Sequence, residues 1–319
     1  MGNLDVVITV YPAGGPGSGP YGLTAGPDDA VWFTQVHGGR IGRMSPGGEQ
    51  TSYQLDPPSG RPSLITAGPD EALWFTESQG DRIGRITTDG SIMSFGIPAP
   101  GAGPFGITPG PDGALWFTEM NADKIGRITT DGRITEFALP AAGSFPSMIT
   151  RGPDHALWFT MNQANSIGRI SAGGDVTTHL LPTANAGPVG ITAGGDGALW
   201  FAEIGAGKIG RITTDGRITE FPLPDRAARP HAITAGTDGF CWFTEWASGR
   251  VGRISPDGDI ETRALLTPPP EPAPAPAPAP EPAPAPEPHG ITVGPDGSLW
   301  VALEVGSIAH LVPASPRAR

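Results

Sequence analysis

The sequence predicts an all-β fold, a seven-bladed β-propeller with four-stranded blades. Two observations carry this prediction: a repeat of 42 residues, and four short strand-like segments within each repeat. Repeats of about 40 to 45 residues that hold four strands are typical of propeller blades. Seven tryptophans mark the repeat: Trp32, Trp74, Trp116, Trp158, Trp200, Trp242 and Trp300.

The four segments of each repeat predict an antiparallel sheet. They are rich in Ile, Thr, Phe and Trp, and they are separated by Asp-Gly or by clusters of Pro and Gly. Such punctuation is typical of strands and hairpins, and no segment keeps a helical period. The segments read P-x-G-I-T-A-G, A-L-W-F-T-E, K-I-G-R-I-T and R-I-T-E-F-P-L-P.

The two ends of the chain predict how the ring closes. The segment from Val6 to Tyr11 precedes the first repeat and resembles the outermost strand of the other repeats. The last repeat ends after a third strand, at Ser307 to Val312. We therefore expect the N-terminal strand to close the last blade, which would hide sheet edges that could otherwise pair with other chains.

An insertion separates the last two repeats. The first six tryptophans are 42 residues apart, whereas Trp242 and Trp300 are 58 residues apart. The difference coincides with a low-complexity run rich in Pro and Ala, which we place at residues 267–286. Because nothing in this run can bury a core, we expect an extended or flexible loop. Residues 1–319 are then expected to form a single propeller domain.

The composition restricts the partners of the protein. With a net charge of -12 and a pI near 4.8, the chain lacks the clustered Lys and Arg that nucleic acid or an anionic membrane requires. No apolar run approaches the roughly 20 residues that span a bilayer, and the opening segment lacks the pattern of a secretion signal. We expect a cytoplasmic protein, and a monomer because a closed propeller leaves few free sheet edges.

Residues that recur in every repeat are interpreted first as structure. We expect the tryptophans to fill the space between blades. The single cysteine, Cys241, excludes an internal disulfide and is expected in the core. Two further ladders recur. They are the arginines that we expect to pair with turn carboxylates (Arg43, Arg85, Arg127, Arg169, Arg211, Arg253) and the acids Glu77, Glu119, Glu203 and Glu245.

Departures from the repeat point to a site. The first strand of each blade begins, and the second ends, at the same face of the ring, so two slots face one rim of the central channel. The first slot follows the opening proline and holds Tyr21, Ser63, Phe105, Ser147, Val189, His231 and His289. The second lies four residues past each tryptophan and holds Val36, Ser78, Met120, Asn162, Ile204, Trp246 and Glu304.

Polar and aromatic residues converge in two adjacent blades. His231 and His289 occupy the first slot there, and Trp246 and Glu304 occupy the second. Glu287 precedes the proline of the last blade. A single residue of this kind is most simply a variable polar strand end. These residues, however, converge on one pair of blades, and the tyrosine of the first slot lies beside them where the ring closes. We therefore infer a site.

The residue types limit the chemistry. Glu287 and Glu304 can bind a hard divalent cation such as Mg²⁺, while an imidazole moves a proton near neutral pH. Zn²⁺ fits less well, because two histidines and no available cysteine fall short of its usual ligands. Tyr21, Phe105 and Trp246 would suit a flat, apolar, aromatic-bearing ligand.

The chain also resembles a known family. The repeat text ITAGPDGALWFTE and KIGRITTDGRITEFPLP, over essentially the whole chain, is similar to that of the virginiamycin B lyase family, streptogramin B inactivating enzymes with a seven-bladed propeller. The more specific segments are PYG at Tyr21, RPHAIT at His231, FTEW ending at Trp246, EPHGIT at Glu287 to Thr292 and LWVALE ending at Glu304.

The resemblance implies an activity and a cofactor. It implies a lyase that linearises type B streptogramins, cyclic depsipeptides, by elimination at the ester bond. A base would remove the proton α to the threonine carbonyl, and the ester carboxylate would leave from the β carbon. Mg²⁺ bound at Glu287 and Glu304 would stabilise the enolate-like charge.

The resemblance also implies roles for the other site residues. His289 would be the principal acid/base, and His231 and Glu304 would also be catalytic residues. His231 would orient the substrate or the waters of the metal, and Tyr21 and Trp246 would form part of the substrate-binding surface.

Two other functions stay open at this point. One is a non-catalytic propeller that binds a peptide or protein on the channel rim. The other is a metal-dependent propeller hydrolase or lactonase, which would use the metal to activate water. The Pro/Ala-rich insertion precedes Glu287 on this rim, where it would either cover the site as a mobile flap or loop outward.

Overall fold

The computed structural model describes residue 4, residues 6–265 and residues 286–313. These residues form seven four-stranded antiparallel sheets around a central channel, so the predicted seven-bladed propeller is confirmed. The predicted insertion lies outside the described residues except for Pro286. Among the described residues, no helix is long and apolar enough to cross a membrane. The monomeric state and the cytoplasmic location stay predictions.

The first six blades each use four consecutive strands. Blades 1 to 3 consist of β2 (Pro20–Ala25), β3 (Val31–Gln35), β4 (Arg40–Met44) and β5 (Gln50–Gln54); β6 (Pro62–Ala67), β7 (Leu73–Glu77), β8 (Arg82–Ile86) and β9 (Ile92–Gly96); β10 (Pro104–Pro109), β11 (Leu115–Glu119), β12 (Lys124–Ile128) and β13 (Ile134–Ala138). A short 3-10 helix, Pro58–Gly60, lies between blades 1 and 2.

The next three blades repeat this order. Blades 4 to 6 consist of β14 (Pro146–Arg151), β15 (Leu157–Met161), β16 (Ser166–Ile170) and β17 (Val176–Leu180); β18 (Pro188–Ala193), β19 (Leu199–Glu203), β20 (Lys208–Ile212) and β21 (Ile218–Pro222); β22 (Pro230–Ala235), β23 (Cys241–Glu245), β24 (Arg250–Ile254) and β25 (Ile260–Ala264).

Blade 7 combines both ends of the chain. It consists of β26 (Pro288–Val293), β27 (Leu299–Leu303), β28 (Ser307–Pro313) and the N-terminal strand β1 (Val6–Pro12). Strand β1 pairs antiparallel with β28, with Val6 opposite Pro313 and Pro12 opposite Ser307. The predicted closure is therefore confirmed, and it leaves no blade short of a strand.

The core lies between neighbouring blades. All seven predicted tryptophans are at most 2% exposed. Each packs against the next blade, as Trp116 does against Leu157 and Phe159. Cys241 is buried in the same kind of cluster, and burial raises the pKa of its thiol to about 12. A thiol of this kind stays protonated, so Cys241 is a core residue, as expected.

The arginine ladder is confirmed in blades 1 to 6. Each arginine pairs with the aspartate of the turn between the first two strands, and the tryptophan Nε1 donates to the same aspartate in each blade. The pairs are Arg43 with Asp28, Arg85 with Asp70, Arg127 with Asp112, Arg169 with Asp154, Arg211 with Asp196, and Arg253 with Asp238. In blade 7 the arginine is replaced by His310, whose ring stacks on Trp300 at 4.1 Å.

A bulge near the start of each blade sets the direction of the first-slot side chain. In blade 7, Pro288 lies opposite Leu303 and Ile291 lies opposite Val301, so the register shifts by one residue between the two pairs. The same shift recurs in the other blades, as in blade 6 between Pro230 and Ile233. A bulge re-aims a side chain at the end of a strand. The first-slot residue lies within it.

Candidate active site

The predicted rim surrounds a cavity at the centre of the ring. The cavity has a volume of about 350 Å³. Six of the seven first-slot residues and three of the second-slot residues line it, so the two slots meet at one place. These residues are Tyr21, Phe105, Ser147, Val189, His231, His289, Met120, Asn162 and Ile204.

A smaller cavity of about 220 Å³ adjoins the first one beside blades 7, 1 and 2. It shares Tyr21, Phe105 and His289 with the larger cavity. Its remaining walls are mostly polar, and they are formed by Val36, His37, Arg61, Ser63, Ser78, Gln79 and Glu304. The site therefore has an apolar lobe and a polar lobe, with His289 at their boundary.

Neighbouring blades hold His289 in place. Its carbonyl oxygen accepts a hydrogen bond of 3.0 Å from Thr244 Oγ1 of blade 6. The next residue is Gly290, where a Cβ would lie 2.2 Å from the carbonyl oxygen of Tyr21 in blade 1. Only glycine permits this close approach of two backbones. The local sequence thus brings the side chains of His289 and Tyr21 together.

Three aromatic rings surround the imidazole of His289. The Tyr21 ring lies 4.5 Å away between centroids, tilted by 32°. His231 approaches edge-on at 5.0 Å, and Trp246 lies at 6.4 Å. Four of the predicted site residues are therefore in one cluster.

Glu304 lies between two imidazoles. Its Oε2 is 2.5 Å from Nε2 of His289, and its Oε1 is 2.9 Å from Nε2 of His37. Burial on its own would raise the pKa of Glu304, but the hydrogen bonds from His37 and His289 outweigh it and hold the pKa below its usual value. Glu304 is consequently a carboxylate at neutral pH and accepts both hydrogen bonds.

The two nitrogens of His289 therefore differ. Because Nε2 donates its hydrogen to Glu304, the lone pair of the neutral ring resides on Nδ1. Nδ1 is buried and has no hydrogen-bond partner among the described residues. A buried polar atom without a partner is costly in a purely structural residue, so this nitrogen is a candidate proton acceptor.

Burial sets the protonation states of the two flanking rings. Burial, followed by the charge of His289, lowers the pKa of His231 to about 3. Burial, followed by the charge of Glu304, raises the pKa of the Tyr21 phenol well above its usual range. Both side chains are neutral at neutral pH. His231 can therefore accept a hydrogen bond from a ligand, whereas Tyr21 can donate one.

Trp246 lies at the edge of the cluster. It does not line either cavity, and the guanidinium of Arg229 lies 5.1 Å above its ring. Its Nε1 is buried without a partner among the described residues. A ligand acceptor at the rim would satisfy this donor.

Glu287 lies beside Glu304 on the paired strand ends. The Glu304 amide donates to the Glu287 carbonyl oxygen at 3.3 Å. Glu287 is partly buried and has a positive φ of 38°. The structure gives its carboxylate no hydrogen bond or ion pair with another described residue. Glu287 is thus placed at the site, but outside the walls of both cavities.

The donor set limits which metal the site can hold. Within the described part of the chain, no group of three or more His, Cys, Asp or Glu side chains is arranged to hold a metal ion. Zn²⁺ requires at least three protein ligands, whereas Mg²⁺ is commonly held by one or two carboxylates, waters and substrate oxygens. The carboxylates of Glu287 and Glu304 fit the second description.

The sequence predictions missed two residues of the polar lobe. His37 contacts Glu304, and the Nη2 of Arg61 lies 3.3 Å from Nδ1 of His37. An alignment of the repeats gives the positions of both residues but not their contact. His37 lies five residues past the tryptophan of its blade, and Arg61 immediately precedes the opening proline of blade 2, the position that Glu287 holds in blade 7.

The chain is similar to proteins of one known family. A family model described as the virginiamycin B lyase family matches residues 6–276. A virginiamycin B lyase from Saccharopolyspora erythraea is 63% identical over 41 residues, a segment that covers 13% of this chain and 14% of that relative. The alignment with this curated relative is thus local.

Solved structures match over nearly the full length. A virginiamycin B lyase from Staphylococcus aureus has a TM-score of 0.88 and 44% identity, and the match covers 97% of this chain and 99% of that chain. A catalytically inactive variant of the Staphylococcus aureus enzyme with quinupristin has the same TM-score of 0.88 at 43% identity, with 97% and 99% coverage. Because the family model matches well over half of the chain, this protein belongs to the virginiamycin B lyase family.

Proposed function

We propose that this protein is an antibiotic-inactivating lyase that linearises type B streptogramins by elimination at the ester bond. The observation that carries the proposal is the arrangement of His289, whose Nε2 is held by the Glu304 carboxylate while Nδ1 has no partner among the described residues. Family membership and the quinupristin complex of the Staphylococcus aureus relative support it.

The proposed reaction needs one base and one group to hold that base. Nδ1 of His289 takes the proton α to the threonine carbonyl, and Glu304 stabilises the imidazolium that forms. The electrons of the C–H bond form the new Cα–Cβ double bond. The Cβ–O bond breaks, and its electron pair leaves with the ester carboxylate. Since Nδ1 is buried in the free protein, substrate binding has to expose this side of the ring.

The apolar lobe would bind side chains of the substrate. Its walls include Phe105, Met148 and Val189, and its volume of about 350 Å³ admits an aromatic or aliphatic group rather than a whole cyclic depsipeptide. The ring of the antibiotic would then lie across the rim. There, neutral His231 and Trp246 Nε1 offer an acceptor and a donor for its amides.

We further propose Mg²⁺ as the cofactor, held by Glu287 and Glu304. Their oxygen donors and their position on paired strand ends support this assignment. When bound, the cation would polarise the carbonyl next to the acidic α-proton and so supply Lewis-acid stabilisation of the developing enolate.

The product mass tests the proposed reaction. The protein would be incubated with a type B streptogramin and Mg²⁺, with and without EDTA. A ring-opened isomer of unchanged mass, lost in EDTA and restored by excess Mg²⁺, is the expected result. A product heavier by one water would identify a hydrolase, and unaltered antibiotic would leave a non-catalytic binding propeller.

Replacement of His289 tests whether this residue is the base. We expect His289→Ala to lower kcat by about 10²–10⁴-fold, the usual range for a general base, with the melting temperature little changed. His155→Ala is the matched control, because His155 is exposed in a turn of blade 4 and its side chain contacts Arg151. Full activity of His289→Ala would remove His289 from this role.

A further inference from the structure

We propose that His37 and Arg61 are positioning residues for Glu304. In this arrangement Arg61 fixes the tautomer of His37, and His37 holds the Glu304 carboxylate in the orientation that serves His289. The kinetic test of this inference rests on the proposed lyase function, whereas the NMR test does not.

The three side chains form a chain of contacts across three blades. Arg61 of blade 2 places Nη2 3.3 Å from Nδ1 of His37. His37 of blade 1 places Nε2 2.9 Å from Oε1 of Glu304 in blade 7. Backbone hydrogen bonds hold two of the three residues, since the amide of His37 donates to Ser18 O at 3.2 Å and the carbonyl oxygen of Arg61 accepts from the amide of Ser78 at 3.1 Å.

The chemistry of Arg61 determines the tautomer of His37. A guanidinium has only donors, so Nδ1 of His37 has to accept its hydrogen bond. The hydrogen of the neutral ring then resides on Nε2, which is the nitrogen that faces Glu304. Removing Arg61 would leave both tautomers available, and the tautomer with the hydrogen on Nδ1 presents a lone pair to the carboxylate.

Glu304 needs two donors to keep one orientation. Its side chain is 29% exposed, so water would compete for any oxygen that lacks a protein donor. His289 occupies Oε2, and His37 occupies Oε1. With both oxygens held, the plane of the carboxylate is fixed. Hydrogen bonds that orient a functional carboxylate or imidazole typically change activity by about 10- to 100-fold.

The repeat shows that this arrangement is specific to one place in the ring. In the slot of His37, the other blades carry Gln79, Asn121, Gln163, Gly205, Ala247 and Val305. Only blade 1 has an imidazole there, and blade 1 is the neighbour of the blade that carries Glu304. Arg61 makes no ion pair with a described carboxylate, so its hydrogen bond to His37 is the polar contact that the structure gives its guanidinium.

Kinetics on the Mg²⁺-loaded protein test the role of His37. We expect His37→Ala to lower kcat about 10-fold or more while KM changes less than about threefold, because the side chain orients a catalytic group. His37→Gln should recover part of this loss, since its carboxamide can donate to Oε1. Gln163→Ala, an exposed residue of the same slot in blade 4, should behave as the unmodified protein. An unchanged kcat in His37→Ala, with Glu304 confirmed as essential, would overturn the inference.

NMR of the imidazole nitrogens tests the tautomer without reference to turnover. Long-range ¹H–¹⁵N spectra at about pH 8, assigned by comparison with His37→Ala, should show His37 with its hydrogen on Nε2. Arg61→Gln should shift the population toward the other tautomer. A hydrogen on Nδ1 in the unmodified protein would overturn the inference. If no streptogramin is converted by the unmodified protein, the proposed function fails, and the spectra still decide whether the chain of contacts exists.

Discussion

When the second strands of blades 5 and 7 are aligned, Glu203 and Glu304 lie one residue apart. Glu203 occupies the last residue of β19, whereas in blade 7 the equivalent residue is Leu303 and the acid follows it. Because side chains alternate along a strand, a shift of one residue moves the acid to another face. Glu203 is fully buried, and Glu304 lines the polar lobe.

The two environments shift the pKa values of the two acids in opposite directions. Burial, followed by the charge of Glu220, raises the pKa of Glu203 to about 8. Neither of its side-chain oxygens has a hydrogen-bond partner among the described residues. Glu304 instead has two imidazole donors and a lowered pKa. The second strand of a blade therefore carries a buried structural acid when the glutamate is its last residue. It carries an acid of the candidate site when the glutamate follows one residue later.

The largest effect is expected from neutralising the site acid. Glu304→Gln keeps the size of the side chain but removes the charge, and its carboxamide can accept from only one of the two imidazoles. We expect kcat to fall about a hundredfold or more, within the range for groups that assist a general base. Glu203→Gln, measured in parallel, should keep full activity. Equal losses in both variants would show that the difference between the two acids is not functional.

A smaller effect is expected from the threonine that anchors His289. Thr244 Oγ1 accepts from the Ala232 amide at 3.0 Å and donates to His289 O at 3.0 Å. In Thr244→Val both backbone groups lose their partner, at a cost of about 1–3 kcal/mol per unsatisfied buried group. We expect lower stability together with about a 10-fold lower kcat, because the backbone of the base is released.

Thr118→Val is the matched control for that variant. Thr118 makes the same two bonds in blade 3, from the Gly106 amide and to Ser147 O. It should lose comparable stability, measured by thermal melting, and keep its activity at a temperature where both variants are folded. If the two variants lose the same fraction of activity, anchoring of His289 is not what Thr244 contributes.

The fold could be predicted from the sequence because its information is repeated. Each blade repeats the same turn and tryptophan, and the first six also repeat the arginine, so seven weak strand signals reinforce one another. The closure of blade 7 followed from a leftover strand at one end and a missing strand at the other, and β1 indeed pairs with β28. No single segment had to carry the prediction.

The sequence could predict candidate site positions only at strand ends, where strand alternation sets the direction of the side chain. Tyr21, His231, His289 and Glu304 lie in slots whose direction follows from strand alternation. His37 lies in the turn after β3, and Arg61 reaches it from a left-handed backbone conformation. Their contact joins two loops from different blades, so it depends on turn geometry and on side-chain reach that no strand pattern encodes.

The smallest effect is expected from Glu203→Gln. It should change only the stability of the protein, by an amount that depends on pH. Because the folded pKa of Glu203 lies near 8 and an unfolded glutamate titrates near 4.3, the folded state binds the proton more tightly. The stability that this proton gives is complete below about pH 4 and is lost as pH rises toward 8. Glu203→Gln removes this ionisation. We therefore expect the variant to be more stable than the unmodified protein by about 1–3 kcal/mol at pH 8 and little different at pH 5, as measured by denaturant unfolding. An equal gain in stability at both pH values would mean that Glu203 does not titrate in this range. The environments of Glu203 and Glu304 would then differ in packing alone.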